Sequence, residues 1–315
     1  MGSIFRDIKL YYEPRRECLN MYEWPGSEPE MTEFESAFLC GMIRERKPTK
    51  IVEVGVAGGA TTAIILKCIE DLGLTSDTEV FSVDILEQFY RGNGERTGYL
   101  ADHIIESGEG KFRHSFFLGK PLPEVIDIIG DSIDFVILDT VHALPGEMLD
   151  FLTIFPYLRN GACIVLHDIA NNHYGRHSNA FATQILLNSV IAERYVMKDQ
   201  SRLYKYPNIG AFVLTDNTEM SIPSIFGNLL VSWSYKLPDD MYQVYYNHFT
   251  GLYGEEYAEF FRMTYCLQEE MVVKLKKERQ VIIDKVKKSK TYRIGEILLW
   301  VPRKMKQVLC HNHCL

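Results

Sequence analysis

Between Lys50 and Thr215 the hydrophobic pattern switches repeatedly between two periods. Short runs of β-branched and aromatic residues occur at Ile51–Val54, Val80–Val83, Phe112–Phe116, Ile133–Leu138, Cys163–Leu166, Tyr195–Met197 and Ala211–Leu214, and most of the gaps between them have helical spacing. Near-continuous apolar runs of this length are what strands covered on both faces look like, and their alternation with helices predicts a parallel sheet between helical layers. The last gap, Lys198 to Gly210, has no helical period and predicts a loop between two antiparallel strands. The expected fold is therefore α/β: a Rossmann-like, seven-stranded sheet, mostly parallel with the last strand antiparallel.

The flanks read differently. Residues 1–47 contain Pro14, Pro25 and Pro29, then Thr32 and Glu35 at capping-box spacing, which predicts a helix running through Ala37 to Arg46. This segment is either a helical cap beside a ligand site or a plain N-terminal brace. Beyond Thr215, residues 221–261 are dense in aromatics, including Trp233, Tyr235, Tyr242, Tyr245, Tyr246, Phe249, Tyr253 and Tyr257. Aromatics at this density either stack on sugar rings or pack a small helical core. Leu267, Met271, Leu275, Ile282 and Val286 then fall near one face of a predicted helix from Glu255 to Ser289. The expected organisation is a cap (1–47), a core (48–216) and a helical C-terminal extension (217–315).

The chemistry begins in Ile51-Val52-Glu53-Val54-Gly55-Val56-Ala57-Gly58-Gly59-Ala60-Thr61-Thr62, where a strand ends in a glycine-dense turn and a helix follows. Glycines there let the chain turn tightly and let a ligand approach backbone amides. A dinucleotide site wants Gly-x-Gly-x-x-Gly; this stretch has Gly-x-Ala-Gly-Gly preceded by Glu53, a carboxylate that repels a pyrophosphate but suits a cationic ammonium and sulfonium. In open α/β sheets ligands bind outside the carboxyl ends of the strands. The residues just after the predicted strands are Asp84 after the second, Leu118 and Gly119 after the third, Asp139 and His142 after the fourth, and His167 and Asp168 after the fifth.

Glu53-x-Gly55-x-Ala57-Gly58-Gly59 resembles the first motif of class I S-adenosylmethionine (SAM)-dependent methyltransferases. Asp139-x-x-His142, Asn160-Gly161 and His167-Asp168 resemble the macrocin O-methyltransferase and cephalosporin-hydroxylase-like branch over roughly Thr32 to Thr215. The resemblance implies cofactor contacts from Glu53, Gly55, Ala57, Gly58, Gly59, Thr61 and Asp139, with Asp84 accepting the ribose hydroxyls and Leu118 and Gly119 lining the adenine. It also implies a divalent cation, Mg2+, on Asp139 and Asp168, although members with three ligating side chains commonly carry Glu where this chain has His167. An alcohol is a weak acid, so methylating a sugar hydroxyl needs a base, a metal, or both. His142 or His167 is the expected base, with Asp139 a third catalytic residue. The polar run Asn171–His177, with Arg176 and His177, is placed to meet an anionic acceptor or is a solvated loop.

Composition sets the surroundings. Seven scattered cysteines fit reduced core thiols, and no basic-then-apolar N-terminal run or membrane-length apolar stretch occurs, so a cytoplasmic chain is expected. The net charge of −8 conceals twelve Lys/Arg against three acids in Met271–Lys306, leaving the rest at −17. An acidic body excludes nucleic acid as the main partner, while the basic stretch suits the inner face of a membrane or an assembly complex. Within it Lys290–Lys306 resembles a C-terminal segment of bacterial glycosyltransferases of surface-polysaccharide assembly, which implies a role in polysaccharide or glycosylated-metabolite synthesis with a small-molecule or glycan acceptor. A homo-oligomer is also compatible. Two other function classes stay open: a non-catalytic scaffold that keeps the cofactor fold, and an NAD(P)-dependent oxidoreductase, which Glu53 and the imperfect glycine pattern disfavour. Cys310-His311-Asn312-His313-Cys314 lies too near a chain end for an ordered metal site.

Overall fold

A computed structural model describes residues 5–21, 30–91, 94–108, 111–173, 179–200 and 205–292. Tyr174 to His177, the glycosyltransferase-like residues beyond Tyr292 and the Cys310–Cys314 pair lie outside the described residues. Seven strands form one sheet: β1 (Lys50–Val54), β2 (Glu79–Asp84), β3 (Arg113–Leu118), β4 (Ile133–Leu138), β5 (Leu158–His167), β6 (Ala192–Tyr195) and β7 (Ile209–Leu214). Their order is β3-β2-β1-β4-β5-β7-β6, parallel except for β7, which runs antiparallel to both its neighbours. The helices are α1 (Glu13–Met21), α2 (Glu33–Arg46), α3 (Ala60–Asp71), α4 (Asp102–Ser107), α5 (Ile126–Ile129), α6 (Gly146–Ile154), α7 (Ala182–Ser189), α8 (Ile222–Asn228), α9 (Asp239–Tyr253) and α10 (Glu255–Lys288).

The sheet divides the interior into two cores because successive side chains leave a strand on opposite faces. Ile51, Phe135, Ile137, Cys163, Val165, Ala211 and Val213 join the core under α1 to α4. Their neighbours Val52, Val136, Leu138, Ile164, Leu166, Phe212 and Leu214 join the core under α6 to α9. Apolar residues on both faces are why these strands read as unbroken runs rather than alternation.

β1, β2 and β7 begin one or two residues before the expected runs, and three other differences matter more. β3 ends at Leu118 rather than Phe116, so Leu118 pairs with Asp84 inside the sheet. β5 starts at Leu158 and contains Asn160-Gly161, with Gly161 at φ 78. β6 is Ala192–Tyr195 rather than Tyr195–Met197: its charged Glu193 and Arg194 disguise a strand at the sheet's edge, where such residues block pairing with another chain.

The chain separates into two compact units, Met1–Tyr265 and Cys266–Leu315. The capping box at the start of α2 is present, with Glu35 N–H donating to Thr32 Oγ1 and Thr32 N–H to Glu35 Oε2. The aromatic stretch after β7 belongs to the first unit: Phe226, Trp233, Tyr245, Phe249, Phe261 and Tyr265 are buried in the core shared with α6. In the second unit, Leu275, Val281, Ile282 and Val286 are exposed on α10. Among the described residues no helix is long and apolar enough to cross a membrane.

Candidate active site

At the carboxyl edge of the sheet lies a cavity of about 380 Å³, within the range of small-molecule sites. Its floor is the turn after β1. Gly55 sits at φ 96, and a Cβ there would overlap the Asp139 carbonyl oxygen, so only glycine lets β1 and β4 end this close together. Gly59, the N-cap of α3, sits at φ 90, and a Cβ would stand 2.7 Å from Gly98 Cα. Gly55, Ala57, Gly58 and Thr61 line the cavity; Gly59 does not, and its conformation serves packing against Gly98.

Asp84, at the end of β2, lines the cavity and clamps the turn. Its Oδ2 accepts from the N–H groups of Val56 and Ala57 at 2.9 and 3.0 Å, and Oδ1 from Leu86 N–H at 2.8 Å. Ile85, Leu86, Phe89, Tyr99 and Leu100 supply an apolar wall beside it. Leu118 and Gly119 do not reach the cavity. Leu118 is held in β3, and at Gly119, at φ 72, a Cβ would overlap the Glu87 side chain; Lys120, Pro121 and Leu122 form the wall in their place.

Glu53 is also absent from the wall. Fully buried, its Oε2 accepts from Thr62 Oγ1 at 2.6 Å and Ser82 Oγ at 2.8 Å, while Oε1 has no hydrogen-bond partner. Burial pushes the carboxyl up to about 7, against the pull of the two hydroxyls. The carboxylate therefore ties β1 to α3 and β2 from behind the turn.

The ends of β4 and β5 carry the polar cluster. His142 lines the cavity, with Nε2 at 3.1 Å from Asp168 Oδ2 and Nδ1 at 3.5 Å from Glu147 Oε1 and 3.8 Å from Asp139 Oδ1. Burial alone would lower its pKa, but the Glu147 contact and the charges of Asp139 and Asp168 raise it to about 9. Asp168 is braced from outside the cluster, its Oδ1 accepting from Asn208 Nδ2 at 2.6 Å and Oδ2 from Asn171 Nδ2 at 2.9 Å. One ligand atom each from Asp139, His142 and Asp168 lies within 4.8 Å of the others, an arrangement able to hold a cation.

His167 occupies a different place from the one expected of a base. It is buried and outside the cavity wall, with Nδ1 at 3.0 Å from Asp139 Oδ1 and Nε2 at 3.5 Å from Glu35 Oε2. Burial opposes its charge, yet Asp139 first and Glu35 with it hold the ring well above the ordinary histidine value. Its imidazolium in turn keeps Asp139 ionised, below the usual carboxylate range despite burial. His167 thus holds Asp139 in place from behind the cavity wall.

Several wall residues come from parts of the chain that sequence reasoning left out of the site. Glu30 borders the cavity before α2, and Tyr90 and Thr97 follow β2. Leu149 and Asp150 of α6 and Tyr235, Leu237, Met241 and Tyr245 close the far side. The aromatic density after β7 was the available signal, but it equally suits a core, and Tyr245 does both jobs.

Residues 52–169 match the family model described as a methyltransferase domain. The match spans β1 to the end of β5 and so contains the glycine turn, Asp84, Asp139, His142, His167 and Asp168. Solved structures similar in fold include an O-methyltransferase of Streptomyces achromogenes involved in tomaymycin synthesis, in complex with SAM, at 14% identity and TM-score 0.43 over 66% of this chain and 92% of that one. An O-methyltransferase of Bacillus cereus in complex with S-adenosylhomocysteine (SAH) is 17% identical, with TM-score 0.41 over 64% and 90%. A SAH-bound methyltransferase of Podospora anserina is 10% identical, with TM-score 0.45 over 66% and 91%. No curated protein matches the chain in sequence.

Proposed function

We propose that the chain is a SAM-dependent O-methyltransferase acting on a sugar hydroxyl in polysaccharide or glycosylated-metabolite synthesis. The observation that carries the reading is one cavity walled at once by the glycine turn, by Asp84 and by the Asp139–His142 edge. The residues fit the cofactor. Gly55 and Gly58 have no side chain to stand between it and the turn, and Asp84, which already accepts three backbone N–H bonds, keeps one of its four lone-pair sites, on Oδ1, for a ribose hydroxyl. Ile85, Leu86, Phe89 and Leu122 supply the apolar faces a purine needs, and Asp139 is the wall carboxylate for the cationic amino-acid end.

SAM supplies an electrophilic methyl group. Methylating an acceptor hydroxyl with it would exchange the methyl–sulfur bond for a C–O bond, the electron pair passing to sulfur, and would release the hydroxyl proton. The chain's contribution is to align the acceptor, exclude water and receive that proton. His142 is the wall group able to receive it. With a pKa near 9 it is mostly protonated at neutral pH, so its competence as a base rises as the pH approaches 9.

A divalent cation on Asp139 and Asp168 would orient the acceptor oxygens and lower the hydroxyl pKa. Two carboxylates suit Mg2+ completed by water, whereas a site including the His142 imidazole suits Mn2+ or Zn2+ better. The same carboxylates already pair with His142, so a metal would compete with its proton. The reading also places the chain in the cytoplasm, with the basic 271–306 stretch meeting an anionic inner-membrane face, and admits a homo-oligomer.

Calorimetric titration of the purified protein with SAH, in EDTA and then with Mg2+ or Mn2+, tests the proposal. Micromolar binding supports it, and the metal arms show whether a cation contributes. Absence of binding under all three conditions would sink the methyltransferase reading.

A further inference from the structure

The cavity wall opposite the glycine turn has a charge balance that methyl transfer does not require. α6 starts directly behind the β4 turn and carries two acids into the interior, Glu147 fully buried and Asp150 at 6% exposure. Asp150 faces the cavity; its Oδ2 accepts from Thr140 Oγ1 at 3.0 Å and its Oδ1 from the Tyr245 hydroxyl at 3.3 Å. Glu147 Oε1 accepts from His142 N–H at 2.6 Å, but its Oε2 is buried with no hydrogen-bond partner. A carboxyl oxygen held away from water without a donor is costly, and two acids side by side compound the cost.

Among the described residues, the cationic group beside these acids is His142, and its ring is already divided between Asp139, Glu147 and Asp168. Among the described residues Asp150 accepts from two hydroxyls and pairs with no cation, and burial with the neighbouring Glu147 pushes its carboxyl up to about 7. The adjoining wall consists of Tyr235, Leu237, Met241 and Tyr245. Tyrosine faces and aliphatic side chains accept a ring skeleton, and a cation next to them gains from the aromatic faces as well as from the acids.

We infer that the pocket between Asp150 and residues 235–245 is an acceptor subsite for a protonated amino group, so that the preferred acceptor is a cyclic amino alcohol such as an amino sugar. The amine anchors on Asp150 while a hydroxyl of the same ring is presented toward Asp139 and His142. This rests on the methyl-transfer reading and narrows its acceptor from sugars in general to aminated ones. It also gives the post-sheet segment a role: it selects what the methyltransferase domain modifies.

The test uses the full chain, wild type and Asp150→Asn, with D-glucosamine, N-acetyl-D-glucosamine and D-glucose as probes. SAH binding is measured by calorimetry, probe binding by ligand-observed NMR, and methyl transfer by mass and NMR analysis of products. The expected result is that glucosamine binds at least tenfold better than the other two, that Asp150→Asn abolishes this preference, and that its SAH affinity changes less than twofold. Asp150→Glu, checked with Asp150→Asn for native melting, provides a second variant that keeps the charge and should keep the preference for glucosamine. Equal binding of the three probes would overturn the inference, as would an N-methylated product, which would make the amine the nucleophile rather than the anchor. A large loss of SAH affinity in Asp150→Asn would also overturn it, because the acid would then be reading the exocyclic amine of adenine. If glucosamine binds selectively while SAH does not bind at all, the subsite stands and methyl transfer falls.

Discussion

His142 offers the sharpest test of the site's electrostatics, because its three acidic neighbours make a signed prediction about stability. Its pKa of about 9 in the folded protein stands above the ordinary 6.5, the acids outweighing the burial that would lower it. A histidine whose folded pKa is raised contributes stability that is fully present below the unfolded pKa and lost as pH rises through the folded one. Each pKa unit is worth about 1.4 kcal/mol, so His142 contributes about 3 kcal/mol below pH 6.5, progressively less up to pH 9, and nothing above. Its side chain is 25% exposed, so solvent screening leaves most of that intact. The assay is urea unfolding of wild type and His142→Asn in EDTA at unit steps from pH 6 to 10. Asparagine tolerates the left-handed backbone at this position, and any relief of strain is independent of pH, so the informative quantity is the slope. The advantage of wild type over the variant should shrink by about 3 kcal/mol between pH 6 and 10. A difference that stays flat, or widens with pH, would refute the view that Asp139, Glu147 and Asp168 hold a proton on this ring. The kinetic counterpart is a kcat/KM that climbs toward pH 9 in wild type and loses that limb in the variant.

Four further outcomes are expected. Gly55→Ala should abolish SAH binding in calorimetry and lower Tm sharply, since the new methyl overlaps the Asp139 carbonyl in addition to the ~1–3 kcal/mol of left-handed strain. Asp84→Asn should weaken SAH at least about tenfold, as charge-assisted hydrogen bonds to the turn and the ribose become neutral ones; unchanged affinity would remove Asp84 from the cofactor site. Phe249→Ala should cost about 3–5 kcal/mol in chemical denaturation, the range for a buried aromatic, and a loss below ~1 kcal/mol would contradict a shared core. Glu53→Gln should gain stability over wild type as pH rises from 4.5 to about 7, by up to about 3 kcal/mol. Over that window the raised carboxyl must surrender a proton in a buried place. Its SAH affinity should change little, because the side chain is turned away from the cavity.

The sheet was legible because its strands are apolar on both faces, and the one misplaced strand is the edge strand whose Glu193 and Arg194 do not look like a strand at all. Position along the chain is what brings Asp84, Asp139 and His142 to the cavity and Asp168 to His142, since residues at strand ends meet whatever the intervening helices do. Side-chain direction was not legible. Glu53 and His167 flank the site in sequence, yet one points back under α3 and the other toward Glu35, because alternation along β1 and β5 sends them into the interior. The far wall was hidden for another reason: Asp150, Tyr235 and Tyr245 come together only through tertiary packing of α6 and α9, about 90 residues apart, which no local period records.

The backbone suggests why such a site is ready before any ligand arrives. Three non-glycine residues at the sheet's carboxyl edge adopt the left-handed conformation: Ala57 after β1 at φ 48, His142 after β4 at φ 59 and Asp168 after β5 at φ 57. Each costs energy that persists only where the surroundings over-determine the geometry. They do so here. Ala57 donates its N–H to Asp84 and accepts from Gly98 N–H; His142 donates to Glu147 and accepts from Ala182 N–H; the Asp168 carbonyl accepts from Thr183 Oγ1 while Asn171 and Asn208 hold its carboxylate. The donors come from elements on several sides of the site, so the strain is borne by the whole carboxyl edge and not by one loop. Ligand binding energy is therefore not spent on ordering these three turns, and remains available for aligning an acceptor hydroxyl with the transferred methyl group.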